Sequence, residues 1–202
     1  MRELYRMVIV MTLLSALSGG LLAGVRMATS ARIEEQKLEF VKGPAIKRLL
    51  AGAQKDPIAA RFAVKDGGAE TLVFPGLKGS KPFAVALESF GKGYGKTPLG
   101  VMVAINTDSD AIAGIAVTTH SETPGLGARA QSDPSFAKGF AGLSAKEPVH
   151  VKADGGKVDA LSGASITSRG VCAAVTRACE FYEKHRDEIV KKAAAAASSG
   201  KP

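Results

Sequence analysis

The feature that most limits what this chain can become is an uncharged run near its amino end. Nineteen consecutive residues from Met7 to Val25, MVIVMTLLSALSGGLLAGV, contain no charged side chain. As a helix rising about 1.5 Å per residue, the run is long enough to cross a hydrocarbon core of roughly 30 Å. Because the apolar core of a signal peptide is usually shorter and Arg26 follows directly, the sequence favours an uncleaved membrane anchor. Cleavage at Ala28-Thr29-Ser30 is the alternative.

The composition of the chain as a whole is that of a globular protein. Hydrophobic residues make up 46% and charged residues 23% of the 202 residues, which excludes a disordered chain and a protein with many membrane spans. Two cysteines are too few for a disulfide scaffold. Four arginines and one glutamate before Ile33 account for three of the eight net positive charges, and the others form no basic stripe. We therefore expect no nucleic-acid partner.

The order of the predicted elements indicates an α+β fold. Leucine and isoleucine at helical spacing predict a helical connector over residues 33–60, interrupted near Gly43-Pro44. Short β-like runs follow, and turn residues between the last two predict a hairpin. A helix from Val171 to about Val190 is expected next. The predicted strands are 61–65, 71–74, 83–88, 99–105 and 112–119.

The predicted domain organisation has four parts. The anchor covers residues 1–32, with its membrane span at 7–25, and the connector follows. A single domain is expected over residues 61–190, because no internal repeat and no second core is apparent. The alanine run that ends in Ser-Ser-Gly-Lys-Pro predicts a flexible tail over residues 191–202.

A glycine-rich stretch at Gly91–Thr97, GKGYGKT, ends like a phosphate-binding P-loop. Only three residues separate Gly91 from Gly95, where a P-loop has four, and a strand is expected next. Without a following helix N-terminus, the anion site of a P-loop is missing, so ATP binding is excluded. The stretch is either a flexible glycine turn or a turn that lets the backbone approach a flat ligand closely.

A second segment, His120–Gly127, reads HSETPGLG and comes where the hairpin's second strand ends. Its Thr-Pro-Gly sequence predicts a type II turn, because Pro124 presets one central residue and Gly125 accepts a positive φ at the next. His120 has no ligand-like spacing to the other two histidines, so we expect no metal site.

A third segment, Asp159–Ser168, reads DALSGASITS and places four hydroxyl side chains directly before the predicted helix. As structure, this is an N-cap region whose Ser and Thr oxygens accept hydrogen bonds from free backbone amides. As chemistry, it presents nucleophilic hydroxyls beside a helix end whose partial positive charge favours a phosphate ester. The residues alone leave both interpretations open.

The two cysteines follow on the predicted helix. Cys172 and Cys179 are seven residues apart, about 10.5 Å along a helix axis, which is too far for a disulfide bond. We expect buried thiols rather than a redox or metal site, because there is no Cys-x-x-Cys pattern.

These segments together resemble the FMN-binding domain found in the G subunit of the Rnf ion-translocating oxidoreductase and in the C subunit of the sodium-translocating NADH:quinone reductase. The resemblance spans nearly the whole chain and is most specific in Asp-x-x-Ser-Gly-Ala-Ser-x-Thr, from Asp159 to Thr167. In that family the pattern is the signal for a flavin transferase, which takes FMN from FAD and joins its phosphate to the final threonine hydroxyl. The resemblance implies that Thr167 is this acceptor. The family often has threonine at the place of Ser165, and serine keeps the hydroxyl.

The resemblance also implies a fold and a cofactor site. The fold is one transmembrane helix followed by an FMN-binding domain, with a central, mostly antiparallel sheet flanked by helices. The turn at 122–127 would lie against the isoalloxazine ring, with Leu126 on one ring face, and Gly163 and Ala164 would keep the tether loop slim. Asp159 would position the loop or serve transferase recognition, and Tyr94 would cover the ring. The implied cofactor-binding residues are Thr167, Ser162, Gly163, Ala164, Ser165, Glu122, Thr123, Gly125, Leu126 and Gly127, with His120, Tyr94 and Asp159 as further candidates.

The function that the resemblance implies is electron transfer within a membrane complex that couples electron flow between NADH and ferredoxin to ion movement. The protein would be a redox carrier with covalent FMN, without catalytic residues of its own. Its partners would be the other Rnf-type subunits and a flavin transferase. The amino terminus would be cytoplasmic and the FMN domain would lie on the outer face of the cytoplasmic membrane, although positive charges flank both ends of the span. The alternatives are the longer C subunit of the quinone reductase, a self-sufficient periplasmic flavoenzyme, and a flavin-free, membrane-anchored interaction module.

Overall fold

The structure is a computed structural model that describes residues 1–79 and 81–198. It divides into two compact units, Met1–Val41 and Lys42–Pro202. In the first unit, helix α1 spans Arg2–Gln36 and is followed by a π-helical segment, Lys37–Lys42. Within Arg2–Ser30, an 18-residue stretch of α1 has a mean hydropathy of 2.1, so this part of the helix is long and apolar enough to cross a membrane. This helix contains the uncharged run.

The second unit is built on a five-stranded antiparallel sheet whose strands pair in chain order. Helix α2 (Gly43–Leu49) precedes the sheet, and helix α5 (Ser165–Ser198) ends the described chain. Two short helices, α3 (Arg129–Ser132) and α4 (Pro134–Lys138), and a 3-10 turn at Lys152–Asp154 lie between the sheet and α5. The strands are β1 (Phe62–Asp66), β2 (Ala69–Lys78), β3 (Lys81–Gly91), β4 (Leu99–Asn106) and β5 (Ile112–Thr119).

Strand β4, next to the edge strand β5, is buried on both faces of the sheet, because a helix covers each face. Helix α5 packs against β3 and β4, and α2 packs against β4 and β5. Residues Leu99–Ile105 are all fully buried, which explains why this strand reads as a continuous apolar run. The stripe predicted on α5 forms the opposite wall of the core on that face: Val171, Val175, Ala178 and Tyr182 are buried.

The structure confirms the predicted α+β class, the antiparallel sheet and the hairpin; β2 and β3 extend beyond the short runs predicted for them, and β1 is shifted by one residue. Near Gly43-Pro44 the expected interruption is absent. The π-helical segment ends directly where α2 begins, and Pro44 lies in the first turn of α2, where its missing N–H breaks no helical hydrogen bond. The helical part of the connector ends at Leu49, and residues 50–61 form turns and loop.

Helix α5 is longer at both ends than the sequence predicted. It begins at Ser165 instead of Val171, and after a kink at His185, whose φ is −113° and ψ is 16°, it continues to Ser198 through residues expected to be a flexible tail. Alanine has the highest helix propensity, and Ala193 and Ala197 are buried. Two lysines fasten the same stretch: Lys192 Nζ donates to the carbonyl of Ala63 at 2.9 Å, and Lys55 Nζ donates to the carbonyl of Ala197 at 2.6 Å. Residues 199–202 of the predicted tail lie outside the described residues.

The hairpin turn between β4 and β5 is tied to α5 through Asp110, which has a φ of +51°. Its carboxylate accepts hydrogen bonds from Arg186 Nε at 2.9 Å and Tyr182 Oη at 3.1 Å, and it pairs with Lys146 Nζ at 3.2 Å. Burial alone raises the pKa of Asp110. The hydrogen bonds from Arg186, Lys146 and Tyr182 outweigh burial and hold the pKa of this carboxyl below its ordinary value.

We predict that Asp110→Asn lowers the free energy of unfolding by about 1–3 kcal/mol at pH 7, because charge-assisted hydrogen bonds are lost while Asn tolerates the positive φ. A folded-state pKa below the unfolded value of about 4 gives stability that is present above that pH and lost as the pH falls through the folded pKa. The difference between the two proteins should therefore shrink below about pH 4. Urea unfolding followed by circular dichroism measures it.

The matched control is Asp108→Asn, an exposed carboxylate in the same turn. It should change the free energy of unfolding by less than about 0.5 kcal/mol. A constant difference between wild type and Asp110→Asn from pH 7 to pH 3 would contradict the assignment of the pH dependence to Asp110.

Candidate functional site

The three segments singled out in the sequence meet at one edge of the sheet. In an antiparallel sheet paired in chain order, β3 and β5 run in the same direction, so both end at that edge. Strand β3 ends at Gly91, where the glycine-rich stretch begins, and β5 ends at Thr119, directly before the HSETPGLG segment. Helix α5 begins at the same edge, since Gly91 and Gly170 are in close contact.

The loop that leads into α5 is closed by a buried serine. Ser168 Oγ accepts a hydrogen bond from the N–H of Leu161 at 3.0 Å and donates one to the carbonyl of Ala164 at 3.0 Å. Gly163, which lies between Leu161 and Ala164, has a φ of +76°, a value that residues with a side chain rarely adopt. Ser168 is therefore the hydroxyl that orders this loop, and its partner is a loop amide rather than an amide of the first helical turn.

Thr167, in the first turn of α5, makes a different bond. Its side chain is 1% exposed, and its Oγ1 donates a hydrogen bond of 2.5 Å to Oε2 of Glu122, which is 6% exposed. The other carboxylate oxygen of Glu122 accepts the N–H of Gly95 at 2.9 Å. The N–H of Glu122 itself donates to His120 Nδ1 at 3.3 Å. One buried carboxylate thus joins the glycine-rich stretch, the HSETPGLG segment and the start of α5.

The glycines of these segments allow the chain to pack against itself. A Cβ at Gly93 would collide with the carboxylate of Glu122, and a Cβ at Gly127 would lie 2.7 Å from Thr167 Oγ1 and 2.6 Å from Glu122 Oε2. A Cβ at Gly95 would lie 2.5 Å from the carbonyl oxygen of Ser121. The sequence suggested that glycines here would let the backbone approach a flat ligand. At these glycines, the backbone instead packs closely against neighbouring parts of the protein.

The turn predicted at Thr-Pro-Gly has the expected geometry. The N–H of Leu126 donates to the carbonyl of Thr123 at 3.2 Å, and Gly125 at the third position has a φ of +76°, which together define a type II turn. The side chain of Leu126 is 48% exposed, and a Cβ at Gly163 would lie 3.2 Å from its Cδ2. Ile166, next to Thr167, is 53% exposed. An apolar surface therefore lies open to solvent beside Thr167.

Of the further candidate residues, His120 accepts the N–H of Glu122, whereas the side chains of Tyr94 and Asp159 are exposed to solvent. Tyr94 is 72% exposed, and Asp159 pairs with Lys152 at 2.8 Å while its side chain stays largely in solvent. His120 Nε2 lies 3.2 Å from Gln131 Oε1, so both nitrogens of its ring have partners within the chain. The exposed hydroxyls of Ser162 and Ser165 flank the buried Ala164.

The buried carboxylate at Thr167 is the contact that the sequence did not predict. Glu122 was expected to lie in a turn against a ring, whereas its side chain points inward to a hydroxyl 45 residues away. No spacing rule links the two residues. The one sequence feature that could have indicated this contact is the position of Glu122 directly before a Thr-Pro-Gly turn, where a charged side chain has no obvious role.

Neither cysteine belongs to this site. Cys172 and Cys179 are buried free thiols, as predicted, and burial is the main cause that raises the pKa of each to about 12. They are therefore unreactive at neutral pH. Within residues 1–79 and 81–198, no group of three or more His, Cys, Asp or Glu side chains could hold a metal ion.

The residues present fit a flavin phosphate attached at Thr167. The hydroxyl lies in the first turn of a long helix, where free amides and the helix dipole favour an anion. Leu126 and Ile166 offer half-exposed apolar side chains to a ring, and Gly127 places no side chain of its own against Thr167 Oγ1. The carboxylate of Glu122 is the one group that a phosphate here would meet unfavourably in its ionised form.

Comparisons with known proteins agree with this geometry. A family model described as the FMN-binding domain matches residues 93–180. The G subunit of the ion-translocating oxidoreductase complex of Cereibacter sphaeroides is 33% identical over 196 residues, covering 87% of this chain and 88% of the relative. The G subunit of the same complex of Pseudomonas aeruginosa is 30% identical over 202 residues, covering 94% and 93%.

Two solved structures are also similar. NqrC of Shewanella oneidensis has 25% identity and a TM-score of 0.52, over 67% of this chain and 74% of that one. The C subunit of the Na(+)-translocating NADH-quinone reductase of Parabacteroides distasonis has 20% identity and a TM-score of 0.51, over 85% and 98%. The second likeness supports the fold alone.

We predict that Gly127→Ala lowers the free energy of unfolding by about 1–3 kcal/mol, because the added methyl group must push the Glu122 carboxylate and the Thr167 hydroxyl apart. Urea unfolding of the full-length chain in detergent, followed by circular dichroism, measures the change. Gly139→Ala is the control, since the nearest atom to its Cβ is 3.3 Å away and its φ is −62°. Equal effects of the two substitutions would show that the contact at Gly127 is not tight.

Proposed function

Because this chain belongs to the family of G subunits of ion-translocating oxidoreductase complexes, we propose that it is an FMN-carrying electron-transfer subunit of such a complex, with FMN esterified through its phosphate to Thr167. The matched FMN-binding domain and the relatives that cover most of the chain support an FMN electron carrier. The observation that carries the ester is the position of Thr167. Its hydroxyl lies in the first turn of α5, bound to a carboxylate and free of a capping role.

Separate parts of the chain would hold the two ends of FMN. Thr167 forms the tether, and the amides of the first turn of α5 compensate the charge of the phosphodiester. The exposed turn at 123–126 offers the Thr123 hydroxyl and backbone amides to ring heteroatoms, and Leu126 packs on a ring face. The slim loop formed by Ser162, Gly163, Ala164 and Ser165 leaves room for the tether. Bound FMN supplies one- and two-electron transfer, while the chain sets its position and its hydrogen bonds.

The proposal is tested by covalent flavin fluorescence. The full-length protein is incubated with FAD and a purified flavin transferase, denatured, and viewed in a gel under ultraviolet light. Wild type should fluoresce and Thr167→Ala should be dark, because no hydroxyl remains to form the ester. Thr167→Ser should fluoresce, since serine keeps the nucleophilic oxygen.

Thr176→Ala is the matched control for a general effect on α5. Thr176 lies on the same helix, where its Oγ1 accepts the N–H of Val149 at 2.9 Å, and it should load as well as wild type. Fluorescent Thr167→Ala protein would contradict the assignment of the acceptor. A wild type that stays dark with active transferase would support the flavin-free interaction module instead.

The alternative assignment to the C subunit of the quinone reductase is less well supported. The two solved structures from that reductase are 25% and 20% identical to this chain, with TM-scores just above 0.5. The relatives from ion-translocating oxidoreductase complexes reach 30–33% identity over more than 85% of both chains. We therefore propose that the partners are the other subunits of an Rnf-type complex, and that a flavin transferase loads the protein.

We further propose that α1 crosses the cytoplasmic membrane once, with the amino terminus in the cytoplasm and the FMN domain on the outer face. An ester tether suits that face, because a cofactor bound only by noncovalent contacts is lost by dilution. Alkaline phosphatase fused after Ser198 should be active, since this enzyme folds only outside the cytoplasm, and green fluorescent protein fused there should be dark. The same fusions placed before residue 7 are the control and should give the opposite pattern. A bright fluorescent protein after Ser198 would contradict this orientation.

A further inference from the structure

The hydrogen bond between Thr167 and Glu122 has a consequence for how the protein acquires its cofactor. We propose that Glu122 is a catalytic residue for flavin attachment, and that it takes the proton of the Thr167 hydroxyl as the phosphate ester forms. The inference rests on the proposed function, namely that Thr167 is the FMN acceptor. It assigns to this chain, rather than to the transferase alone, the group that activates the nucleophile.

The distance and burial meet the requirements for a general base. Oε2 of Glu122 lies 2.5 Å from Thr167 Oγ1, within the range of a hydrogen bond to a charged oxygen. Both side chains are almost fully buried, at 6% and 1% exposure, so bulk water does not compete for the proton. A threonine hydroxyl is a weak nucleophile, and an adjacent base is the usual means of activating it.

The carboxylate is also held in place. Its Oε1 accepts the N–H of Gly95 at 2.9 Å, and Gly93 and Gly127 pack so closely around it that neither position has room for a Cβ. Contacts with three segments of the chain therefore hold Oε2 in its direction toward Thr167. Such preorganisation is expected of a group that acts on a reacting atom.

A second glutamate, which is partly buried, shows what a structural carboxylate looks like in this fold. Glu88 on β3 accepts the Thr118 hydroxyl at 2.6 Å, and its other oxygen pairs with Lys42 Nζ at 2.6 Å. Glu122 forms no ion pair among the residues that the structure describes, and its partners are a hydroxyl and an amide. A buried carboxylate with only neutral partners is costly for folding, which sets Glu122 apart from the ion-paired Glu88.

The transfer step balances without an oxidant or reductant. The flavin dinucleotide FAD supplies the phosphoryl group. Thr167 Oγ1 forms a bond to the phosphorus on the FMN side of the pyrophosphate, and the bond from that phosphorus to the bridging oxygen breaks. AMP leaves with the electron pair of that bond. The proton of Thr167 moves to Oε2 of Glu122.

The product explains why the proton stays on Glu122. Esterified Thr167 has no proton to donate, so an ionised Glu122 would face a phosphodiester anion at close range. A protonated Glu122 instead donates a hydrogen bond to a phosphate oxygen. Access to Oγ1 requires movement of the exposed turn at 123–126, which precedes Gly127, while Glu122 remains bound to Gly95.

The test compares Glu122→Gln with Glu88→Gln in the full-length protein. Glutamine has nearly the shape of glutamate: its carbonyl oxygen can accept one of the two hydrogen bonds, its NH2 group can donate to Thr167 Oγ1, and it does not take up a proton at neutral pH. With FAD and purified transferase, Glu122→Gln should load FMN at least about 100-fold more slowly than wild type, as for loss of a general base. The maximal rate should fall while the KM for the acceptor protein stays unchanged. Glu88→Gln removes a partly buried carboxylate from a threonine elsewhere and should load at the wild-type rate.

Two further measurements separate chemistry from folding. Thermal unfolding by circular dichroism should show that Glu122→Gln is folded, and intact mass after long incubation should show the same adduct as wild type, because glutamine can donate to the phosphate. Glu122→Asp keeps a carboxylate and should load faster than Glu122→Gln, so it remains informative if the glutamine variant is unstable.

Loading of Glu122→Gln within threefold of wild type would overturn the proposal, and so would Glu122→Asp loading no faster than Glu122→Gln. An equal loss in Glu88→Gln would also overturn it, since the effect would then be structural. A wild type that forms no ester would instead refute the assignment of Thr167 as the acceptor, which is a separate failure.

Discussion

The arrangement of this site depends on the buried carboxylate of Glu122. It joins three segments that are distant in sequence, through the N–H of Gly95, the hydroxyl of Thr167 and its own place at the end of β5. A buried acceptor of this kind must find donors, and a donor left without it would cost roughly 1–3 kcal/mol. The surrounding glycines follow from this requirement, because only residues without a Cβ fit against it at Gly93 and Gly127.

The sheet and α5 supply the rigid frame for this interaction. Strand β4 is buried on both faces, and α5 lies along one of them with its stripe of small and aromatic side chains in the core. Since β3 and β5 end at the edge where α5 begins, the loops that follow them are brought to the first turn of the helix.

Much of the fold followed from local patterns in the sequence. Alternating β-branched residues predicted the hairpin, and Thr-Pro-Gly predicted the type II turn that the hydrogen bond from Leu126 completes. The start of α5 was missed because the stretch from Ser165 to Gly170 is rich in serine, threonine and glycine, which have weak helix propensity. It becomes helical through tertiary contacts, including the bond of Thr167 and the packing of Gly170 on Lys92. The end of α5 was missed for a similar reason, since Lys55 and Lys192 fasten it to other elements.

The sequence by itself determined the apolar helix near the amino end, the antiparallel hairpin and the turn at Gly125. Each of these depends on residues that are neighbours along the chain, through hydropathy, alternation or turn geometry. Only the tertiary structure decided that Glu122 meets Thr167, 45 residues away, and that the glycines serve packing within the chain. That contact depends on the register of β3 to β5 and on where α5 begins, so no local pattern contains it.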